Sequence, residues 1–404
     1  MNLILFDEPE NRLNLLPFTF TRPVADIRVG ILKIAEKWKL HLQTEVSFLT
    51  ESYLQEKYPT RWGSETLFIN GSLSPTPEIC IAVQELGPNE ALQYKGELLA
   101  WKTDRQLTIH QLIEEARAQS RMVTFEGEVR KLDYLWDIFL NNRQEIIADF
   151  KKITHNRKSQ ALSDPHTIVY GKDNLFLEEG VKIKAAIINA EDFPVYIGKN
   201  ARINEGAIIQ GAFALCEGAE VKVGAKIRAD NTIGPYSKVG GEVSNSVILG
   251  YSNKGHDGYL GNAVLGEWCN LGADTNNSNL KNNYGPIKMW NYRLEDYLNS
   301  EQNFCGLMMG DHSKCGINTM FNTGTVVGTS CNIFGGGFPP RYIPSFSWGG
   351  SNGFTTARPE KMMEVADRVM GRRGLQLSQA DRNILNHIFE ATQKLRDKFG
   401  TLRQ

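Results

Sequence analysis

The sequence predicts an α/β unit, then a parallel β-helix of hexapeptide repeats, then a helical tail. Three observations predict this fold class. Short apolar runs alternate with helical spacings in the first part of the chain. An aliphatic or similar residue then recurs every six positions, often with glycine directly after it. Beyond Arg358 the apolar residues return to helical spacing.

Residues 1 to about 150 read as the α/β unit. NLILFD, VSFLT and TLFIN are apolar runs bounded by turn residues, as strands are. VGILKIAEKWKLHLQ, IHQLIEEARAQ and the stretch from Leu140 to Ile153 have helical spacing. Alternating strands and helices favour a largely parallel sheet. MNLILFDEPE has no basic leader and turns acidic at once, so it reads as a strand and not as a signal peptide. The polar stretch HNRKSQALSDP is the expected linker.

The six-residue beat starts at Ile197 and continues at Ile203, Ile209, Leu215, Val221, Ile227, Ile233 and Val239. It returns at Leu265 and Leu271, and again at Met309, Cys315, Phe321, Val327 and Ile333. A period of six suits neither a helix nor a simple strand. It suits a chain that turns a corner after each short strand and stacks parallel coils. The aliphatic side chain fills the corner, and a small neighbour lets the backbone turn tightly. Three stretches break the beat: Val243 to Leu260, the run opening ADTNNSNLKNN, and GPIKMWNYRLEDYLNSEQNF. Loops thrown out of a solenoid are where function usually sits, although such a loop can simply cover a neighbouring subunit.

In the tail, Met362, Val365, Ala366 and Val369 form one apolar stripe. Ser378 with Asp381 is an N-cap signal ahead of Ile384, Leu385, Ile388 and Phe389. From residue 341 on there are 11 Lys/Arg against 6 Asp/Glu. Such a surplus is either a solvated face or a means for one arginine to reach the phosphates of a cofactor.

Net charge is −1 with 23% charged residues among 404, which points to neither a nucleic-acid nor a membrane-surface partner. No run approaches the roughly 18 apolar residues of a membrane span. Six cysteines with no CxxC pair argue against zinc or a disulfide framework and for reduced thiols in a cytoplasm.

One cluster carries chemistry. His256 lies in NKGHDGYLGN, among glycines and polar residues and not on an apolar face. A neutral imidazole with a pKa near about 6.5 suits removal of a proton from an attacking amine. The carbonyl under attack needs hydrogen-bond donors as its oxygen gains charge. Asn270, Asn276, Asn277, Asn279, Asn282 and Asn283 offer side-chain amides, or form a ladder that caps coil turns.

The segment KGHDGYLGNAVLGEWCNLGADTNNSN resembles the acetyltransferase half of the bifunctional N-acetylglucosamine-1-phosphate uridyltransferase/glucosamine-1-phosphate acetyltransferase family. Carried over without a gap, the resemblance puts the family's catalytic base on His256 and its sugar-phosphate-contacting Tyr on Tyr259. Its acceptor-binding Asn falls on Asn270, and the Asn that helps position the reacting groups falls on Asn279. Arg228 stands about where the family has a phosphate-gripping Arg. Leu280 and Ile317 depart from the family's Tyr and Ser, and its Lys before the catalytic His has no counterpart in VSNSV.

LLPFTFTRPVADIRVGILKI and LWDIFLNN resemble the same family's nucleotidyltransferase half, with Arg12 and Arg22 as candidate phosphate contacts. Three of its parts differ. FDEPENR stands where the family has a glycine-rich phosphate cradle, Val24 replaces a Lys, and Ser72 replaces the magnesium-holding Asp. An active nucleotidyltransferase would need Asp7, Glu10 or Asp137 as its metal ligand.

The resemblance implies a reduced nucleotidyltransferase-like α/β domain over 1–155. A left-handed parallel β-helix of hexapeptide repeats with acyltransferase character follows over 166–345, then a helical tail over 356–404. It implies a cytoplasmic homotrimer that moves an acetyl group from acetyl-CoA to an amino sugar phosphate or sugar nucleotide, in cell-envelope sugar-nucleotide synthesis. Magnesium enters only if the N-terminal domain works. The alternatives are a sugar-1-phosphate nucleotidyltransferase using UTP or dTTP, a bifunctional enzyme, and an inactive sugar-nucleotide-binding scaffold.

Overall fold

The computed structural model describes residues 2–400 and the strand Leu402–Arg403. They form two compact units, Met1–Ile27 with Leu32–Asp137, and Arg28–Ile31 with Ile138–Gln404.

The first unit is built on a six-stranded sheet. Asn2–Phe6 pairs in parallel with Val46–Leu49 on one side and Thr66–Asn70 on the other, so the three strands expected from the sequence stand together. The rest of the sheet is mixed and not largely parallel. Glu90–Tyr94 and Glu97–Thr103 form an antiparallel hairpin, and Glu97–Thr103 also runs antiparallel to Thr66–Asn70. Only Lys95 and Gly96 join the hairpin strands, both at positive φ (50° and 82°). Two residues suffice for a hairpin turn but not for the crossover that parallel pairing needs. Helix Ile109–Gln119 covers one face, burying Leu112 and Ala116 against Ile4, Phe6, Phe68 and Trp101.

The second unit is a left-handed parallel β-helix of about 10 turns, followed by helices. Its coils stack in three sheets, and successive solenoid strands pair in parallel. Every residue on the six-residue beat, from Ile197 to Ile333, is buried in one continuous core. Burying such a side chain is worth roughly 1.5–3 kcal/mol, which is why the period is kept coil after coil.

The first break in the beat is a change of phase. The corner between Lys238–Val239 and Glu242–Ser244 is two residues long, against four at the equivalent corners of the two preceding coils. The inward positions then resume at Val243, Ile248, Lys254 and Leu260. The long interruption is a true insertion. It forms the antiparallel hairpin Lys288–Asn291 with Asp296–Asn299. Trp290 is buried there and stacks on Tyr342, with ring centroids 4.1 Å apart. The hairpin's aromatics thus serve a satellite core of their own chain.

The helix Asn142–Thr154 packs within the second unit. The Gly30 N–H and the Thr232 hydroxyl both donate to the Asn142 side-chain oxygen, at 2.8 and 3.0 Å. In the tail, helix Pro359–Gly371 buries Met362, Met363, Ala366 and Met370. Helix Gln379–Ala391 starts with the expected reciprocal cap between Ser378 and Asp381. Among the described residues no helix is long and apolar enough to cross a membrane. All six cysteines are buried, free thiols.

Candidate active site

His256 sits on the four-residue corner between strands Asn253–Lys254 and Tyr259–Gly261. The corner closes at Gly258, with φ at 109°. A Cβ there would stand 2.2 Å from the Thr275 carbonyl oxygen, so only glycine fits. Gly258→Ala is expected to destabilise the second unit by about 1–3 kcal/mol, the range for a residue forced into a sparsely populated backbone region. A thermal melt of the variant checks this, and an unchanged midpoint would mean that the corner relaxes at no cost.

The His256 side chain is exposed at the edge of a groove of about 920 Å³. Asn270 lies on its wall, one strand from Asn253, whose amide donates to the Asn270 oxygen at 3.4 Å. Five cationic side chains line the same groove: Lys222, Lys238 and Lys314 from the coils, Arg372 and Arg373 from the end of helix Pro359–Gly371. Arg373 is anchored there by donating to the Tyr236 carbonyl at 2.9 Å. Lys222 and Lys238 share the Glu220 carboxylate, at 2.8 and 3.4 Å. Burial lowers the pKa of Lys314, and its ammonium donates to the His312 carbonyl at 2.9 Å. An aromatic ladder climbs one edge. Tyr236, Tyr251, Trp268 and His312 stack in turn, with centroids 5.4, 4.3 and 6.5 Å apart.

The other expected residues lie on the adjoining sheet. The Asn279 amide donates to the Tyr259 hydroxyl at 3.0 Å and to the Asn262 side-chain oxygen at 2.7 Å. Burial raises the Tyr259 phenol pKa, while the positive charge of Arg228 works against it. Arg228 itself is exposed and reaches Glu242 at 3.4 Å. Asn276 and Asn277 are ladder residues: their side-chain oxygens accept from the Tyr259 and Gly261 N–H groups at 2.7 and 2.9 Å. So His256 and Asn270 share a groove, while Tyr259, Asn279 and Arg228 form a second cluster around the corner.

Sequence reasoning overlooked several groove residues. Tyr251 and Trp268 were legible only as aromatics recurring one coil apart. Lys254, which lies beneath the corner and does not line the groove, falls in the stretch from Val243 to Leu260 where the sequence loses the six-residue beat.

In the first unit, Arg12 and Arg22 are both buried. Arg12 donates to the Thr19 carbonyl at 2.8 Å and the Tyr53 hydroxyl at 2.5 Å, and lies 3.5 Å from Asp7. Arg22 lies 3.8 Å from Asp26. Glu8 caps helix Pro9–Asn14 by accepting from the Asn11 N–H at 2.7 Å. Asp7 accepts from the Val24 N–H at 2.8 Å and the Thr50 hydroxyl at 2.5 Å. Asp137 accepts from the Asp133 and Tyr134 N–H groups, each at 2.8 Å. Burial pushes both aspartates up to about 6. Ser72 is buried and donates to the Asn70 side chain at 2.8 Å. A hard dication needs oxygens converging on one point. These carboxylates are turned to internal donors, and among the described residues no three His, Cys, Asp or Glu gather as a ligand set. Ser72 offers magnesium no charge, and the Asp7 and Asp137 carboxylates are each already engaged by two donors of their own chain. The cationic groove does fit the phosphates of a coenzyme.

Residues 3–158 match the family model described as sugar nucleotidyl transferase. A bifunctional protein GlmU from Methanococcus aeolicus is 30% identical over 149 residues, 32% of this chain and 36% of that protein. A bifunctional sugar-1-phosphate nucleotidylyltransferase/acetyltransferase from Sulfurisphaera tokodaii is 29% identical over 171 residues, 42% of this chain and 40% of that protein. The chain therefore spans well under half the length of these relatives. Of solved structures, the polySia specific acetyltransferase NeuO aligns at 15% identity with a TM-score of 0.28, over 53% of this chain and 97% of that one.

Proposed function

We propose that this GlmU-like chain transfers an acetyl group from acetyl-CoA to the amine of an amino sugar phosphate or sugar nucleotide. One observation carries the proposal: His256 stands exposed at the edge of a groove lined by five cationic side chains. His256 takes the amine proton as the nitrogen attacks the thioester carbonyl. The Asn270 amide, on the same wall, donates to the carbonyl oxygen as it gains charge. The C–N bond forms, the C–S bond breaks, and the thiol departs with the proton that His256 passes on. Lys222, Lys238, Arg372 and Arg373 hold the phosphates of the coenzyme. Around the corner, Tyr259 and Asn279 hold the acceptor sugar and Arg228 its phosphate. Arg12 and Arg22 have no part in this chemistry, since both side chains are buried within the first unit.

The test is thiol release from acetyl-CoA against a panel of amino sugar phosphates, glucosamine-1-phosphate included, and nucleotide-linked amino sugars. Release that depends on one acceptor supports the proposal. No release above hydrolysis with any of them overturns it.

Two half-sites on either side of one corner need a second face opposite them to enclose the acceptor and exclude water. The outward residues Ile168, Ile187 and Ile208 stack in register on the Tyr259 sheet and are exposed at 50, 37 and 45%. This aliphatic column suits packing against another copy. Sedimentation or light scattering should report a trimer, three times 45.4 kDa. A monomer with full transferase activity would refute the shared site.

A further inference from the structure

The repeat is broken from within directly beneath His256. In one sheet the inward positions run Val221, Val239, Lys254, with Leu271, Cys315 and Ile333 continuing the column. Five of these six residues are apolar or thiol side chains. The sixth is a lysine, 1% exposed. An ammonium in such a column is costly unless its donors find partners. The Lys254 ammonium donates to the His256 carbonyl at 2.5 Å and to the Asp257 carbonyl at 3.0 Å.

A second departure accompanies the first. The corner position just before the next strand is a buried alanine in earlier coils, Ala207 and Ala225. In the preceding coil it is Gly241 and in the His256 corner Gly258, where the Thr275 backbone leaves no room for a methyl. In the next two coils a neutral hydroxyl of the corner itself holds the equivalent turn, Thr275 donating to the Gly272 carbonyl at 2.7 Å and Thr319 to the Gly316 carbonyl at 2.9 Å. Here one charged donor grips two successive carbonyls, and those carbonyls belong to the histidine and its neighbour. Burial lowers the lysine's pKa to about 8, although the nearby Asp257 and Asp274 carboxylates favour its charge. The coil thus tolerates an unfavourable group at the one corner that presents an imidazole to the groove.

We infer that Lys254 is a positioning residue for His256, turning both corner carbonyls inward so that the imidazole is held over the groove in one orientation. The inference rests on His256 acting as the base. Lys254 does not touch substrate. Its effect is on the orientation of the imidazole, and misplacing a reacting group by about 1 Å can cost roughly 10²-fold in rate.

Lys254→Met keeps the length of the side chain and removes the donors. Lys254→Leu restores the residue type that the repeat favours and serves if the first variant folds poorly. The variants are assayed beside His256→Ala for thiol release, acetyl-CoA affinity and thermal midpoint. A buried ion replaced by an apolar side chain of similar volume is often neutral or stabilising. The expected result is a midpoint that is unchanged or higher, unchanged acetyl-CoA affinity, and kcat lower by about 10–10². A lysine that merely holds the coil together would lower midpoint and kcat in step, and that result overturns the inference. Full activity in both Lys254 variants with an inactive His256→Ala also overturns it, while leaving His256 as the base. Full activity in His256→Ala removes the base itself, and the inference with it.

Discussion

His256→Ala is expected to lower turnover in acetyl transfer by about 10²–10⁴, the range for a general base, with acetyl-CoA affinity nearly unchanged. The split follows from where the groups stand. The imidazole lies at the edge of the groove, and the cations suited to phosphates belong to other coils and to the helical tail. Removing the ring removes a proton acceptor and leaves those cations in place. Acceptor KM should move little, because Tyr259, Asn279 and Arg228 lie around the corner on the adjoining sheet. Steady-state kinetics with the thiol-release assay, beside calorimetric binding of acetyl-CoA, check both parts. Full activity would end the assignment. Loss of coenzyme binding equal to the loss of rate would assign His256 to binding instead.

The second large effect is an absence of nucleotidyl transfer. With UTP, dTTP or another NTP, sugar-1-phosphates and magnesium, the protein should release no pyrophosphate above background. The N-terminus of helix Pro9–Asn14 is capped by the chain's own Glu8 carboxylate, and Asp7 lies buried beside it. Fixed negative groups at that place oppose a triphosphate instead of cradling it. Val24 contributes no cation, and Ser72 donates to Asn70 where the resembled family has a metal-binding carboxylate. Restoring activity would demand rescue at all three places. Magnesium-dependent turnover near one per second, abolished by Asp137→Ala, would show that the metal site had moved. Without such turnover, the match of residues 3–158 to sugar nucleotidyl transferases would describe a fold kept without that chemistry.

What depends on period and on local chemistry is legible in the chain alone. Burial of an aliphatic residue in each corner must repeat with the coil, so the inward positions from Ile197 to Val239, at Leu265 and Leu271, and from Met309 to Ile333 were readable without coordinates. Ser378 and Asp381 announced a helix start because a cap is made by residues three apart. His256 stood out because its neighbours were glycines and polar residues. The rest depends on contacts between residues far apart in the chain. A two-residue turn at Lys95 and Gly96 made the first sheet mixed, since strand direction is set by pairing and not by strand composition. A short corner after Val239 shifted the phase and carried Lys254 inward, where its ammonium meets two carbonyls. Arg12 and Arg22, which as residue types suit phosphates, are held inside their unit by Asp7, Thr19, Tyr53 and Asp26. The groove joins coils that are distant in sequence to Arg372 and Arg373 of the tail, more than 100 residues beyond His256. Charge, reach and burial depend on which side chains meet in space, and period alone does not encode that.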